Sequence, residues 1–278
     1  MIQDISPARL DTSYRGTVPA PEDCFFAFRD REVLLRTGED GGLGLPSFLG
    51  LRQDAGDMDI AAVFLFCVDQ EPLYLLQPQE AARLESPRLQ YFPVRELSRI
   101  QPGWAYFAGI TALHLGHWYG RNKYCGRCGS GMERRTGQRA LACPECGNTV
   151  YPYIAPVVMV AVTNGDKLLM TKYAGRSISE WVLISGFVEV GETLEEAAAR
   201  EAFEETGIHI KGLRYFGSQP WGFSDSVIVG YTAVLEGSEE IHLDREELAE
   251  AKWHPRAELP EELTDISIAY EMIESLRI

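Results

Sequence analysis

The chain has 278 residues, 45% of them apolar, and a formal net charge of −15 at pH 7. That length holds one large domain or two ordinary ones, and the composition excludes a disordered chain. The acidity argues against a long nucleic-acid backbone as the main partner, because such binding depends on Lys and Arg; it leaves room for a small anionic substrate, since bound cations reverse the local field.

The N-terminal MIQDISPARL lacks a basic region followed by an apolar stretch, so no signal peptide is expected. The longest apolar runs, Ile60–Val68 and Ile154–Val162, are too short to span a bilayer. A cytoplasmic protein with no membrane partner is therefore expected. Residues 1–95 read as a small α/β domain. Its strands fall at Cys24–Arg29, Val33–Arg36, Ile60–Val68 and Leu73–Leu76, with a glycine-rich loop at 38–50. Cys24 and Cys67 have apolar neighbours and read as buried core thiols. Residues 96–121 read as a helical linker, with helices expected at 94–100 and 103–121. The second helix carries His114 and His117 at i, i+3, which reads as an ordinary helix face rather than a metal pair.

Residues 122–150 contain Cys125-x2-Cys128-x14-Cys143-x2-Cys146, four of the six cysteines. Paired CxxC at this spacing predicts a structural, tetrahedral Zn²⁺ site with no open position. Two disulfides are the alternative, disfavoured in a reducing compartment. So small a module has almost no core, and zinc would supply its folding free energy, roughly 10–16 kcal/mol. Arg127, Arg134, Arg135 and Arg139 give it a local basic character that admits nucleic-acid contact.

Residues 151–278 alternate strand, helix and strand. Strands are expected at Ala155–Val162, Lys167–Lys172, Gly212–Gln219 and Val227–Glu236, and helices at Asp244–Ala251 and Asp265–Leu276. Within this region, residues 186–208 read GFVEVGETLEEAAAREAFEETGI, the pattern Gly-x5-Glu-x7-Arg-Glu-apolar-x-Glu-Glu-x-Gly-apolar. Thr193 to Glu196 is a capping box, so a helix starts near Leu194 and ends at the C-cap glycine Gly207. Glu201, Glu204 and Glu205 then share one face. Ala199, Ala202 and Phe203 turn away and can pack on a sheet. Arg200 lies one turn from Glu196 and Glu204 and can hold either. Crowded carboxylates repel one another unless a cation joins them, and hard oxygen ligands suit Mg²⁺ or Mn²⁺. Such ions would bridge a diphosphate, neutralise the leaving phosphate and help generate hydroxide. Gly186, without a Cβ, can bring its carbonyl close to a metal.

The pattern resembles the Nudix box of hydrolases that cleave a diphosphate linked to a nucleoside. Further on, Ser218-Gln219-Pro220-Trp221-Gly222-Phe223-Ser224-Asp225-Ser226 resembles the SQPWPFPxS array of NADH pyrophosphatases (the NudC family). The order of N-terminal domain, four-cysteine ribbon, Tyr151-Pro152-x-Ile154-Ala155-Pro156, box and array is also that family's. The resemblance implies an α/β (α+β) fold: a Nudix α/β/α sandwich over 151–278, preceded by a zinc ribbon and a small N-terminal α/β domain. It implies a homodimeric enzyme that hydrolyses NAD(H) to NMN(H) and AMP with Mg²⁺ or Mn²⁺. Glu201, Glu204 and Glu205 would be catalytic metal ligands, joined by the Gly186 carbonyl and by Glu247 from the helix at Asp244–Ala251, with Glu246 and Glu250 as its nearest rivals. Phe187 would stack on the nicotinamide ring, Ala269 would touch its amide through the backbone, and Gln219 would join the substrate contacts. Tyr151, Met159, Trp221 and Ser226 would come from the partner subunit.

Two departures stand out. Gly222 and Ser224 replace family prolines, which is expected to loosen the loop. Ile184-Ser185 precede the box where small Ala-Gly-like residues are commoner. Three alternatives remain: removal of the NAD cap from RNA 5′ ends, hydrolysis of another diphosphate such as ADP-ribose, and a zinc-ribbon binding module with a vestigial Nudix fold.

Overall fold

The computed structural model describes residues 1–39, 41–55, 60–84, 86–175, 180–259 and 266–278. The chain divides into two compact units. One comprises Asp4–Tyr153 and Gly222–Asp225; the other comprises Met1–Gln3, Ile154–Trp221 and Ser226–Ile278. No helix among the described residues is long and apolar enough to cross a membrane.

The first unit carries β1 (Leu10–Asp11), β2 (Cys24–Arg29), β3 (Glu32–Thr37), β4 (Leu43–Gly44), β5 (Ala62–Val68), β6 (Glu71–Leu76) and β7 (Leu89–Pro93). They form one sheet in the order β1-β5-β6-β2-β3-β4, with β7 on β3. Its core gathers Phe25, Ala27, Leu34, Phe64, Tyr74 and Leu76. The segment expected to be a loop at 38–50 instead contains β4 and the start of α1 (Phe48–Ala55). Phe48 and Leu51, one turn apart, bury against that core, with the Phe48 ring 5.1 Å from Phe25 and 5.8 Å from Tyr74. After α2 (Pro78–Ala81), the helix expected at 94–100 is a 3₁₀ turn, Val94–Arg99. Cys67 is buried, but Cys24 is only half-buried, a correction to its reading as a core thiol. Burial nonetheless pushes the Cys24 thiol up to about 11.

α3 (Ala105–Arg121) holds its two histidines to different partners. His114 Nε2 lies 2.7 Å from the Tyr153 carbonyl, and His117 Nδ1 lies 2.8 Å from Asp225 Oδ1. Asp225, only 6% exposed, also accepts from Arg121. The loop 222–225 therefore docks on α3. A Cβ on Gly222 would stand 2.3 Å from the Ile110 carbonyl oxygen, and Phe223 packs edge-on against Tyr106. The expected loosening by lost prolines is offset: contacts to α3 replace ring rigidity. The ribbon adds β8 (Glu133–Arg134), β9 (Leu141–Ala142) and β10 (Thr149–Val150), a small antiparallel sheet.

The second unit is an α/β/α sandwich. Its sheet runs β14 (His209–Trp221), β15 (Ser226–Glu236), β11 (Ala155–Asn164), β12 (Lys167–Tyr173) and β16 (Leu248–Pro255), with β13 (Ile184–Phe187) also paired to β11. The strand period of two sorts β11 between the faces. Val158, Val160 and Val162 pack with Ala197, Ala198 and Ala202 of α4 (Leu194–Thr206). Val157, Met159 and Ala161 pack with Ile268, Met272 and Ile273 of α5 (Ile268–Leu276).

Two expectations need correction here, and a third lies partly outside the described residues. Residues 244–251 do not form a helix. Asp244 closes a turn, accepting Glu246 N–H at 2.8 Å through Oδ1 and Leu248 N–H at 2.9 Å through its carbonyl. From Leu248 the chain pairs antiparallel along β12, Thr171 opposite Ala251 and Leu169 opposite Trp253. Edge pairing thus overrides the helical propensity of Glu-Glu-Leu-Ala-Glu-Ala. Phe203 stays outside the sheet-facing core: it is half exposed and stacks at 4.7 Å on His209, the first residue of β14, while the buried stripe runs through Ala198 and Ala202. The described part of the last helix begins behind the N-cap Ser267, while the predicted start, Asp265, lies outside the described residues.

Candidate active site and zinc centre

α4 is set by its own ends. Thr193 Oγ1 accepts Glu196 N–H at 3.1 Å, Glu196 accepts Thr193 N–H at 2.8 Å, and Gly207 closes the helix at φ 70°. The capping role occupies Glu196, so Arg200 does not hold it. The guanidinium instead grips Glu192 with two bonds, Nε to Oε1 at 2.6 Å and Nη2 to Oε2 at 2.8 Å. It also reaches Glu201 at 2.8 Å, Glu204 at 2.9 Å and the Phe187 carbonyl at 3.0 Å. One cation thereby binds three carboxylates and the end of β13. The bidentate grip of Arg200, aided by Glu189 N–H, holds the Glu192 carboxyl down to about 2. Sequence reasoning missed this partner, because Glu192 lies before the helix and the i, i+4 rule does not reach it; its fixed place in the box was the available signal.

Glu201 and Glu205 are buried, while the Glu204 side chain is 58% exposed. Burial pushes the Glu201 carboxyl up, opposed by Arg200 and reinforced by the charges of Glu204 and Glu247. The turn carrying Glu247 therefore brings its charge to bear on Glu201, although its helical placement was wrong. The backbone of Gly186 forms the wall behind Glu201: a Cβ there would lie 2.1 Å from the carboxyl carbon. The glycine is needed for a carboxylate, not only for a metal. An all-oxygen donor set with a desolvated carboxylate fits a hard divalent cation. The carboxylates have not converged: among the described residues, the group of ligand atoms mutually within 4.8 Å is the cysteine set alone.

The substrate residues fall unevenly. Phe187 is 56% exposed at the end of β13. Met159 and Trp221 are half-buried beside the α5 cluster, and Ala269 sits in the first turn of α5. Ser226 is buried, with Oγ 3.4 Å from the Trp221 carbonyl. Tyr151 belongs to the first unit and is exposed. Gln219, expected to contact substrate, is fully buried. Its amide donates to the Ile266 carbonyl at 2.7 Å and accepts Ile268 N–H at 2.7 Å. Both ends of its amide being taken, the side chain fastens the start of α5.

In the ribbon the Sγ pairs Cys125–Cys146 and Cys128–Cys143 stand 3.6 and 3.4 Å apart. That exceeds a disulfide bond of about 2.05 Å and approaches the edge of about 3.8 Å set by a Zn–S tetrahedron. The disulfide alternative is excluded. Arg127 N–H points at Cys125 Sγ, bringing that thiol down to about 6, near its metal-binding thiolate form. Two of the ribbon's arginines are structural: Arg139 donates to the Leu65 and Thr12 carbonyls, and Arg134 to that of Ala62. Arg127, Arg134 and Arg135 remain exposed.

Comparison with known proteins identifies the domains that carry these residues. The NUDIX domain family matches residues 153–276, and the NADH pyrophosphatase zinc ribbon domain matches 121–151. The chain is 38% identical over 196 residues to "NAD-capped RNA hydrolase NudC" of Haemophilus influenzae (strain PittEE), covering 68% of this chain and 72% of the relative. It is 38% identical over 190 residues to the protein of that name from Escherichia coli (strain SMS-3-5 / SECEC), covering 68% and 70%. The chain belongs to the NADH pyrophosphatase (NudC) family of Nudix hydrolases. This Nudix hydrolase is thus an enzyme with a divalent-cation site and a structural zinc ribbon. A Nudix hydrolase structure from Nitrosomonas europaea aligns with 55% of the chain and 87% of its own, at 23% identity and TM-score 0.44.

Proposed function

We propose that this Nudix hydrolase cleaves the diphosphate of NADH and NAD⁺, giving NMN(H) and AMP. The observation that carries this reading is the shared strand: Gly186 walls the Glu201 carboxylate and the next residue, Phe187, offers an exposed aromatic face. A flat heterocycle stacked on Phe187 would set its diphosphate beside the glutamates. Glu201, Glu204, Glu205 and Glu247, with the Gly186 carbonyl, are the residues that would hold Mg²⁺ or Mn²⁺. Bound divalent cations supply charge neutralisation on the diphosphate and a lowered pKa for the attacking water. Arg200 keeps Glu201 and Glu204 in place, and Glu192 keeps Arg200 in place. Water adds to one phosphorus, and the bridging P–O bond breaks, leaving a phosphate monoester on each half.

The finer organisation belongs to the same proposal: an N-terminal domain at 1–95, a linker at 96–121, the ribbon at 122–150 and the hydrolase domain at 151–278. So do a cytoplasmic location and a homodimer in which Tyr151, Met159, Trp221 and Ser226 close the partner's pocket. A second reading, removal of the NAD cap from RNA, breaks the same bond. The names of the curated relatives favour it, as do the exposed Arg127 and Arg135. The test is incubation with Mg²⁺ or Mn²⁺ and, separately, NADH, NAD⁺, ADP-ribose and NAD-capped RNA, with products resolved by chromatography. AMP and reduced NMN from NADH are expected. Cleavage of ADP-ribose without cleavage of NADH would withdraw the substrate assignment.

A further inference from the structure

Ser185 occupies the position where the sequence departs from the family just before the box. On β13 the pleat turns Ile184 into the α4 core and Gly186 toward Glu201 of α4, so Ser185 and Phe187 share the opposite face. Across the ladder, Met159 lies opposite Ser185 and Val157 opposite Phe187, and both of these apolar residues pack with the α5 cluster. Among these apolar neighbours, Ser185 Oγ meets Tyr173 Oη at 2.9 Å. Tyr173 ends β12 where its register with β16 shifts, a break in alternation that coincides with this hydroxyl contact. Both side chains are only partly buried. A hydroxyl has one donor and two acceptor sites, so the bond to Tyr173 leaves Ser185 capacity for a further partner.

We propose that Ser185 is a specificity residue of the substrate face: its hydroxyl, oriented by Tyr173, hydrogen-bonds the polar edge of the heterocycle stacked on Phe187. The ligand class is a flat ring bearing a carboxamide or a similar donor–acceptor group. Residues two apart on a strand are separated by about 6.6 Å. The exocyclic arm of a stacked ring plus one hydrogen bond of about 2.9 Å covers that span. The inference rests on Phe187 being the stacking platform.

The test measures kcat and KM for NADH and NAD⁺ in wild type, S185A, Y173F and the double variant, with the inhibition constant of ADP-ribose, which lacks the ring. S185A is expected to raise KM for both dinucleotides about five- to tenfold, with kcat and the ADP-ribose constant within twofold of wild type. Y173F should shift KM the same way by less, and the double variant should match S185A, because Tyr173 acts through Ser185. An equal loss for dinucleotides and ADP-ribose would mean that the pair only packs the sheet, and an unchanged KM would mean that it touches no substrate; either overturns the proposal. Wild type that cleaves neither dinucleotide would remove the functional reading itself, and the proposal with it.

Discussion

Among the fixed box glutamates Glu192, Glu201, Glu204 and Glu205, Glu204 is the one whose side chain stands mostly in solvent, at 58% exposure. Glu204→Gln should therefore lower kcat by orders of magnitude with an unchanged melting temperature; near-normal turnover would remove Glu204 from the metal site. Gly186→Ala tests the opposite case. Its Cβ would collide with the Glu201 carboxyl, and because small misplacements of a reacting group cost about 100-fold, a loss of that size is expected, with KM less affected. Glu192 adds a pH signature. Its carboxyl is depressed from 4.5 to about 2. The stabilisation from the Arg200 clamp is thus complete above pH 4.5 and is lost as pH falls towards 2. Denaturant titrations should find Glu192→Gln less stable than wild type at neutral pH, with the gap closing at pH 2–3.

Among the elements, α4 was legible because its signals are local: a capping box at one end, a glycine at the other, good helix formers between. The ribbon was legible because ligand spacing alone defines it. β16 was not. Its residues favour a helix, and only pairing with β12, distant in sequence, makes them a strand. For the same reason the bracing of α5 by Gln219 was hidden: its motif was visible, but its buried partners at Ile266 and Ile268 were not. The ribbon's strands are two residues long and cannot stand on their own packing. Stripping zinc with a chelator, or replacing Cys125 with Ser, should open 122–150 to limited proteolysis, with cleavage sites read by mass spectrometry. A ribbon that stays protected without zinc would contradict this.

Over the whole chain, the net charge of −15 sets how an RNA could be engaged. Arg139 is held by the Leu65 and Thr12 carbonyls, leaving Arg127, Arg134 and Arg135 exposed on the ribbon. Three phosphate contacts to a single strand give a slope of log K against log salt of about −2.1. Binding of NAD-capped RNA to a slowly cleaving variant such as Glu204→Gln should be no steeper; a much steeper slope would reveal a larger basic surface. The docking of residues 222–225 on α3 was invisible in sequence, since more than a hundred residues separate them. Substituting family-typical residues ordinarily stabilises a protein. Here it should do the reverse, because a proline ring at 222 would carry a Cβ into the Ile110 carbonyl. Gly222→Pro is expected to lower the melting temperature, whereas a chimera that also imports a relative's α3 should recover it. For anyone recombining these enzymes, loop and helix are a single heritable part, to be exchanged together or left alone.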